Sequence, residues 1–83
     1  MAFKIAYKNS VKRDLKKIDK SKISFILDTI EKTLCSDADK FPLLSGKYDR
    51  LRKFRIGEYR VIYALANDTV IILRIGHRKE VYK

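Results

Sequence analysis

Apolar residues set two different periods along this chain. Phe3, Ile5 and Tyr7 alternate with Lys4 and Ala6, which is the period of a short strand. From Val11 the period lengthens. Val11, Leu15 and Ile18 fall at i, i+4 and i+7 and form one helical stripe, with Lys12, Arg13, Asp14, Lys16 and Lys17 over the remaining surface. Asn9 or Ser10 offers an N-cap for this helix. Asp19 to Ser21 breaks the pattern and can cap a second helix, whose stripe is Ile23, Ile26, Leu27, Ile30 and Leu34, with Phe25 to one side. Asp37, Asp39 and Pro42 end it. Phe41, Leu43 and Leu44 read as anchors that pin the following loop to the core.

Strand alternation returns at Leu51 and dominates the rest. Phe54 and Ile56 share one face, Tyr59, Val61 and Tyr63 the same face of the next arm, and Gly57-Glu58 suits a tight two-residue turn with Gly first. That turn sets Ile56 opposite Tyr59, Phe54 opposite Val61 and Arg55 opposite Arg60. A three-residue turn at Ala66-Asn67-Asp68 leads to a last strand, Thr69 to Ile75, with Ile71, Leu73 and Ile75 inward. This register sets Arg60 opposite Arg74, Val61 opposite Leu73 and Tyr63 opposite Ile71. Lys53, Arg55, Arg60 and Arg74 then share the outer face with Ile62, Ala64, Val70 and Ile72. A two-residue turn would instead flip the last strand. The order β-α-α-β-β-β predicts a single α+β domain over residues 1–83. It comprises an N-terminal strand, a helical hairpin and a three-stranded antiparallel meander, with the helices packed on one face of a small sheet.

Charge sharpens this picture. Lys plus Arg number 20 against 10 Asp plus Glu, a net charge of +10 on 83 residues. Such an excess on a small body points to a polyanionic partner, most often nucleic acid. The hydrophobic fraction of 46% suits a folded domain. No apolar run approaches the roughly 18 residues of a membrane span, and the N-terminus lacks a signal-peptide core, so a cytoplasmic protein without membrane contact is expected. Cys35 is alone, which excludes an internal disulfide, and it reads as a small buried residue.

A row of arginines on adjacent strands is costly unless an anion answers it, because like charges opposite one another are destabilising. Guanidinium groups grip phosphate bidentately and keep their charge at neutral pH. A phosphate cradle and a solvated basic face are both compatible with the spacing. The tail adds His77, Arg78, Lys79 and Tyr82, and an aromatic ring there can stack on an unpaired base. Other chemistries lack their residues. There is no phosphate loop, no paired acid residues on strand ends and no motif for a Ser-His-Asp triad; one His and one Cys make no metal site. What remains catalytically is cofactor-free phosphoryl transfer in RNA, with the 2′-hydroxyl attacking the adjacent phosphate. Lys53, Arg55, Arg60, His77 and Arg78 could divide alignment, proton transfer and charge stabilisation.

These residues resemble a known family. Tyr59-Arg60-Val61-Ile62-Tyr63, then Ile72-Leu73-Arg74-Ile75-Gly76-His77-Arg78-Lys79-Glu80-Val81-Tyr82, are similar to the RelE toxins of the RelE/ParE superfamily, as is the approach through Leu44-Ser45-Gly46 and residues 51–58. The Gly-His-Arg-x-Glu-Val-Tyr ending resembles the RelE branch more than the gyrase-poisoning ParE branch. The resemblance implies a type II toxin that enters the ribosomal A site and cleaves the mRNA codon there, leaving a 2′,3′-cyclic phosphate. It implies a cognate antitoxin that shields the basic face, with DNA contact through the antitoxin complex. By position it implies Lys53 as general base, Arg60 on the transition-state phosphate, Arg78 as general acid with His77 able to share that role, and Tyr82 on the substrate nucleotide. Arg52, Arg55, Arg74 and Lys79 would bind RNA phosphates. Leu51 departs from relatives that carry a second lysine there. A gyrase inhibitor on the same fold is the alternative.

Overall fold

Tight alternation at the start of the chain produces β1, Lys4–Tyr7, and the helical stripes produce α1, Asn9–Lys16, and α2, Lys20–Asp37. The computed structural model describes residues 2–43 and 51–77. A single 3-10 turn, Ala38–Lys40, follows α2. Three strands complete the order: β2, Leu51–Ile56, β3, Tyr59–Ala66, and β4, Thr69–His77. The sheet runs β1-β4-β3-β2, with β1 parallel to β4 and the other pairs antiparallel. This is the expected α+β arrangement, two helices on a four-stranded sheet. No helix among the described residues is long and apolar enough to cross a membrane.

The core sits between the helices and one face of the sheet. Val11 and Ile18 meet Ile26, Ile30 and Leu34 from α2, and Phe54, Ile56, Val61, Tyr63, Val70, Ile72 and Ile75 from the sheet. Asp19 caps α2 as expected, its side chain accepting from the Ser21 N–H at 3.1 Å. α1 departs from expectation: Lys8 is its N-cap, with no side-chain cap bond. Ser10 Oγ instead donates to Leu73 O at 2.6 Å, tying the helix to β4. Tyr63, fully buried, donates its hydroxyl to Ala38 O at 2.6 Å and fixes the end of α2 against β3. Burial holds its phenol proton, pushing the pKa up to about 12.

Of the loop anchors, Phe41 packs edge-on against Phe54 with ring centroids 4.7 Å apart, whereas Leu43 is exposed and Leu44 lies outside the described residues. Phe25 stands in solvent beside its stripe. Cys35, expected buried, is half-buried, its Sγ 3.4 Å from Lys32 O.

The first hairpin has the expected register, with Arg55 opposite Arg60, and Gly57 supplies the positive φ of 58° that its turn requires. The second hairpin corrects the sequence reading. Ala66 pairs with Thr69, so the turn is the two-residue Asn67-Asp68, with Asn67 left-handed at φ 56°. Asn tolerates that conformation better than most residues. One residue fewer in the turn flips the first half of β4, as the period of two demands. Val70 and Ile72 therefore enter the core in place of Ile71 and Leu73. The register then slips: Ile62 pairs with Arg74 but Tyr63 pairs with Ile72, leaving Leu73 as the extra residue of a β-bulge. Beyond it, Val61 opposes Ile75 rather than Leu73, and Arg60 opposes Gly76 rather than Arg74.

Candidate nucleic-acid interface

Lys53 and Arg55 stand two apart on β2, and Arg60 lies directly across from Arg55 on β3. The alternation that buries Phe54, Ile56 and Val61 under the helices forces these three cations to the other face. Ile62, opposite Lys53, belongs to the same face and is buried there. Rigid paired strands position all three. Arg55 donates Nε to Gly57 O at 3.2 Å, which ties the guanidinium to the hairpin turn. Among the described residues, no carboxylate forms an ion pair with Lys53 or Arg55.

Lys53, Arg55 and Arg60 also line a groove of about 390 Å³ together with Phe41, Pro42 and Phe54. The loop before β2 builds its wall. Pro42 O accepts from the Lys53 N–H at 3.2 Å, and Leu43 bridges antiparallel to Arg52, so these two residues lie along the outer edge of β2.

Three expected members of the site stand elsewhere. Arg52 is opposite Tyr63, on the helix side, and its Nη1 donates to Phe41 O at 2.6 Å and Asp39 O at 3.3 Å. Its charge closes the end of the 3-10 turn, where carbonyls collect. Arg74 opposes Ile62 rather than Arg60, and its side chain turns to α1. Its Nε and Nη2 reach Asp14 at 2.9 and 3.1 Å, a bidentate pair that raises the guanidinium pKa beyond its ordinary value through the hydrogen bonds. His77 is opposite Tyr59, on the helix side of the sheet rather than with Lys53, Arg55 and Arg60. Its Nε2 lies 3.5 Å from Glu58 Oε2 and its ring meets Tyr59 edge-on at 6.1 Å. Lys22 Nζ lies over the Tyr59 ring, 5.9 Å from its centroid. Arg78, Lys79 and Tyr82 lie outside the described residues.

The sequence reading placed Asp14 on the solvent side, yet it is buried and accepts from the Ile75 N–H at 3.0 Å as well as from Arg74. Helical arithmetic held the signal. Asp14 is three residues after Val11 and four before Ile18, within the apolar stripe itself.

Known proteins share this architecture. A chain of the toxin–antitoxin complex RelBE2 of Mycobacterium tuberculosis superposes with a TM-score of 0.88 at 22% identity, over 96% of this chain and 95% of that one. That identity speaks for the fold alone. HP0894 of Helicobacter pylori gives 0.73 at 26% identity, covering 98% and 99% of the two chains. The RelB–RelE antitoxin–toxin complex of Methanococcus jannaschii gives 0.63 at 25%, covering 93% and 94%. No curated protein matches the chain. The family model describing the ParE toxin of the type II toxin–antitoxin system parDE matches residues 5–82, from β1 through the sheet that carries Lys53, Arg55 and Arg60 and on into the tail. With nearly the whole sequence inside that match, the chain belongs to the ParE toxin family of type II toxin–antitoxin systems and so to the RelE/ParE superfamily.

Proposed function

We propose that this toxin is a ribosome-dependent mRNA endonuclease that cleaves A-site codons. The observation that carries the reading is the convergence of Lys53, Arg55 and Arg60 on one groove, on paired strands and away from the helices. In the reaction the 2′-hydroxyl oxygen bonds to the adjacent phosphorus and the bond from phosphorus to the 5′-oxygen breaks. Lys53 is assigned to take the 2′-hydroxyl proton. Arg60 binds the phosphorane oxygens as their charge develops, with Arg55 aligning the phosphate. The 5′-oxygen needs a proton, and Arg78 is assigned to give it. His77 is relieved of that role because it pairs with Tyr59 and approaches Glu58 on the other side of the sheet. Tyr82 is assigned to the substrate base. The relatives solved as toxin–antitoxin complexes support a cognate antitoxin as the second partner.

Mapping of mRNA 5′ ends after induction tests the assignment. Cuts in phase with the A site are expected. They should fall by about 100-fold or more in Arg60→Ala, the scale on which losing one oxyanion-stabilising donor acts. Undiminished cuts in a folded Arg60→Ala protein would remove Arg60 from the mechanism. A second reading, inhibition of DNA gyrase without cleavage, draws support from the ParE family model that matches the chain. Intact mRNA together with lost supercoiling activity would establish it instead.

A further inference from the structure

The groove beside the three cations has an apolar wall that phosphate contact does not need. Phe41 is half-buried and Pro42 exposed, and both line the space that Lys53, Arg55 and Arg60 enter. The wall is held in place from three directions. The Phe41 ring packs edge-on against Phe54 at 62°, Phe41 O accepts from Arg52, and Pro42 O accepts from the Lys53 N–H. Arg52 thus contributes by fixing the wall. The volume, about 390 Å³, falls within the range of small-molecule pockets, about 300–1,000 Å³. Charge on one rim and an aromatic ring with a rigid pyrrolidine on the other is the chemistry that suits a nucleotide. Phosphate meets the guanidiniums and the flat apolar base meets the wall.

We infer that this groove is a nucleobase subsite: Phe41 and Pro42 receive one unpaired base of a single strand whose phosphate lies on Arg55 and Arg60. The inference rests on the reading that this face meets RNA, and it adds to the assignments for Lys53, Arg60 and the tail a base contact beside the cations. Every base has an apolar face, so the subsite accepts any of the four with modest preference. It orients the strand along the edge of β2, from the wall toward Arg60.

The test uses the full chain and short 2′-O-methyl RNA, which cannot be cleaved, so binding is read independently of catalysis. Fluorescence anisotropy compares a trinucleotide with its counterpart carrying one abasic residue. The wild-type protein is expected to bind the intact strand about fivefold to tenfold tighter, the lower end of base stacking. Phe41→Leu keeps the packing on Phe54 but removes the ring, and Pro42→Ala changes an exposed position; both should shrink that ratio to below about threefold. Arg55→Ala should weaken both ligands alike and leave the ratio standing. Equal affinity for the intact and abasic strands in the wild type overturns the inference, as does an unchanged ratio in folded Phe41→Leu and Pro42→Ala proteins. Loss of mRNA cleavage alone would bear on the endonuclease reading and leave this result intact.

Discussion

At the scale of single residues, buried polar groups define the fold more sharply than its aliphatic core does. Tyr63 is the clearest case, since its ring fills the core while its hydroxyl satisfies Ala38 O. The folded state holds the phenol proton up to about pH 12, whereas the unfolded chain releases it near 10. The folded state therefore binds more protons in that interval, so this contribution is complete below pH 10 and is lost as pH rises toward 12. Chemical denaturation in steps across pH 9 to 12 should show that decline. Tyr63→Phe should flatten the part due to this residue, at a cost of about 1 kcal/mol at neutral pH for the lost hydrogen bond. An identical alkaline slope in the two proteins would assign the decline elsewhere.

At the scale of elements, the link between α1 and β4 carries an asymmetric prediction. Asp14 is buried, whereas the Arg74 side chain is 44% exposed. Asp14→Ala lets Arg74 return to water, so the loss should be about 2 kcal/mol. Arg74→Ala strands a buried carboxylate that keeps only the Ile75 N–H, so the loss should be nearer 3 kcal/mol. Urea unfolding midpoints compare them, and a milder effect for Arg74→Ala would contradict the burial argument. This link also marks where the sequence stopped being legible. Helix stripes, strand alternation and the Gly57 turn each depend on neighbours a few residues away, and all were readable. The faces of β4 depend on one residue more or less in the turn at Asn67 and on a bulge at Leu73. Ser10 and Asp14, more than 60 residues earlier, bind around that bulge. No local pattern announces such a contact. The same is true of the site: Lys53, Arg55 and Arg60 followed from alternation in the first hairpin, while the contacts of Arg52 with Phe41, of Arg74 with Asp14 and of His77 with Tyr59 depend on how separate segments meet.

At the scale of the whole molecule, the net charge of +10 makes nonspecific attraction to RNA inevitable, so affinity alone says little about the site. The salt dependence is more telling. Three cations neutralising three phosphates of a single strand give a slope of log K against log salt of about −2, and each Ala substitution at Lys53, Arg55 or Arg60 should reduce it by about 0.7. Titration of a noncleavable RNA from low to moderate salt measures this. Replacing Lys12, exposed on α1, should leave the slope nearly unchanged; an equal effect there would mean that the whole surface binds rather than the groove.

The strand order has a temporal consequence. β4 occupies the interior of the sheet, between the first strand and the third, and is the last of the described strands to be synthesised. Until it emerges, β1 has no partner, α1 has no seat for Asp14, and the β2–β3 hairpin must stand as an isolated pair, which is marginal in water. A nascent copy therefore holds its cations on a surface that is not yet built. Assembly of that face therefore waits for β4, after nearly all of the described chain has been made.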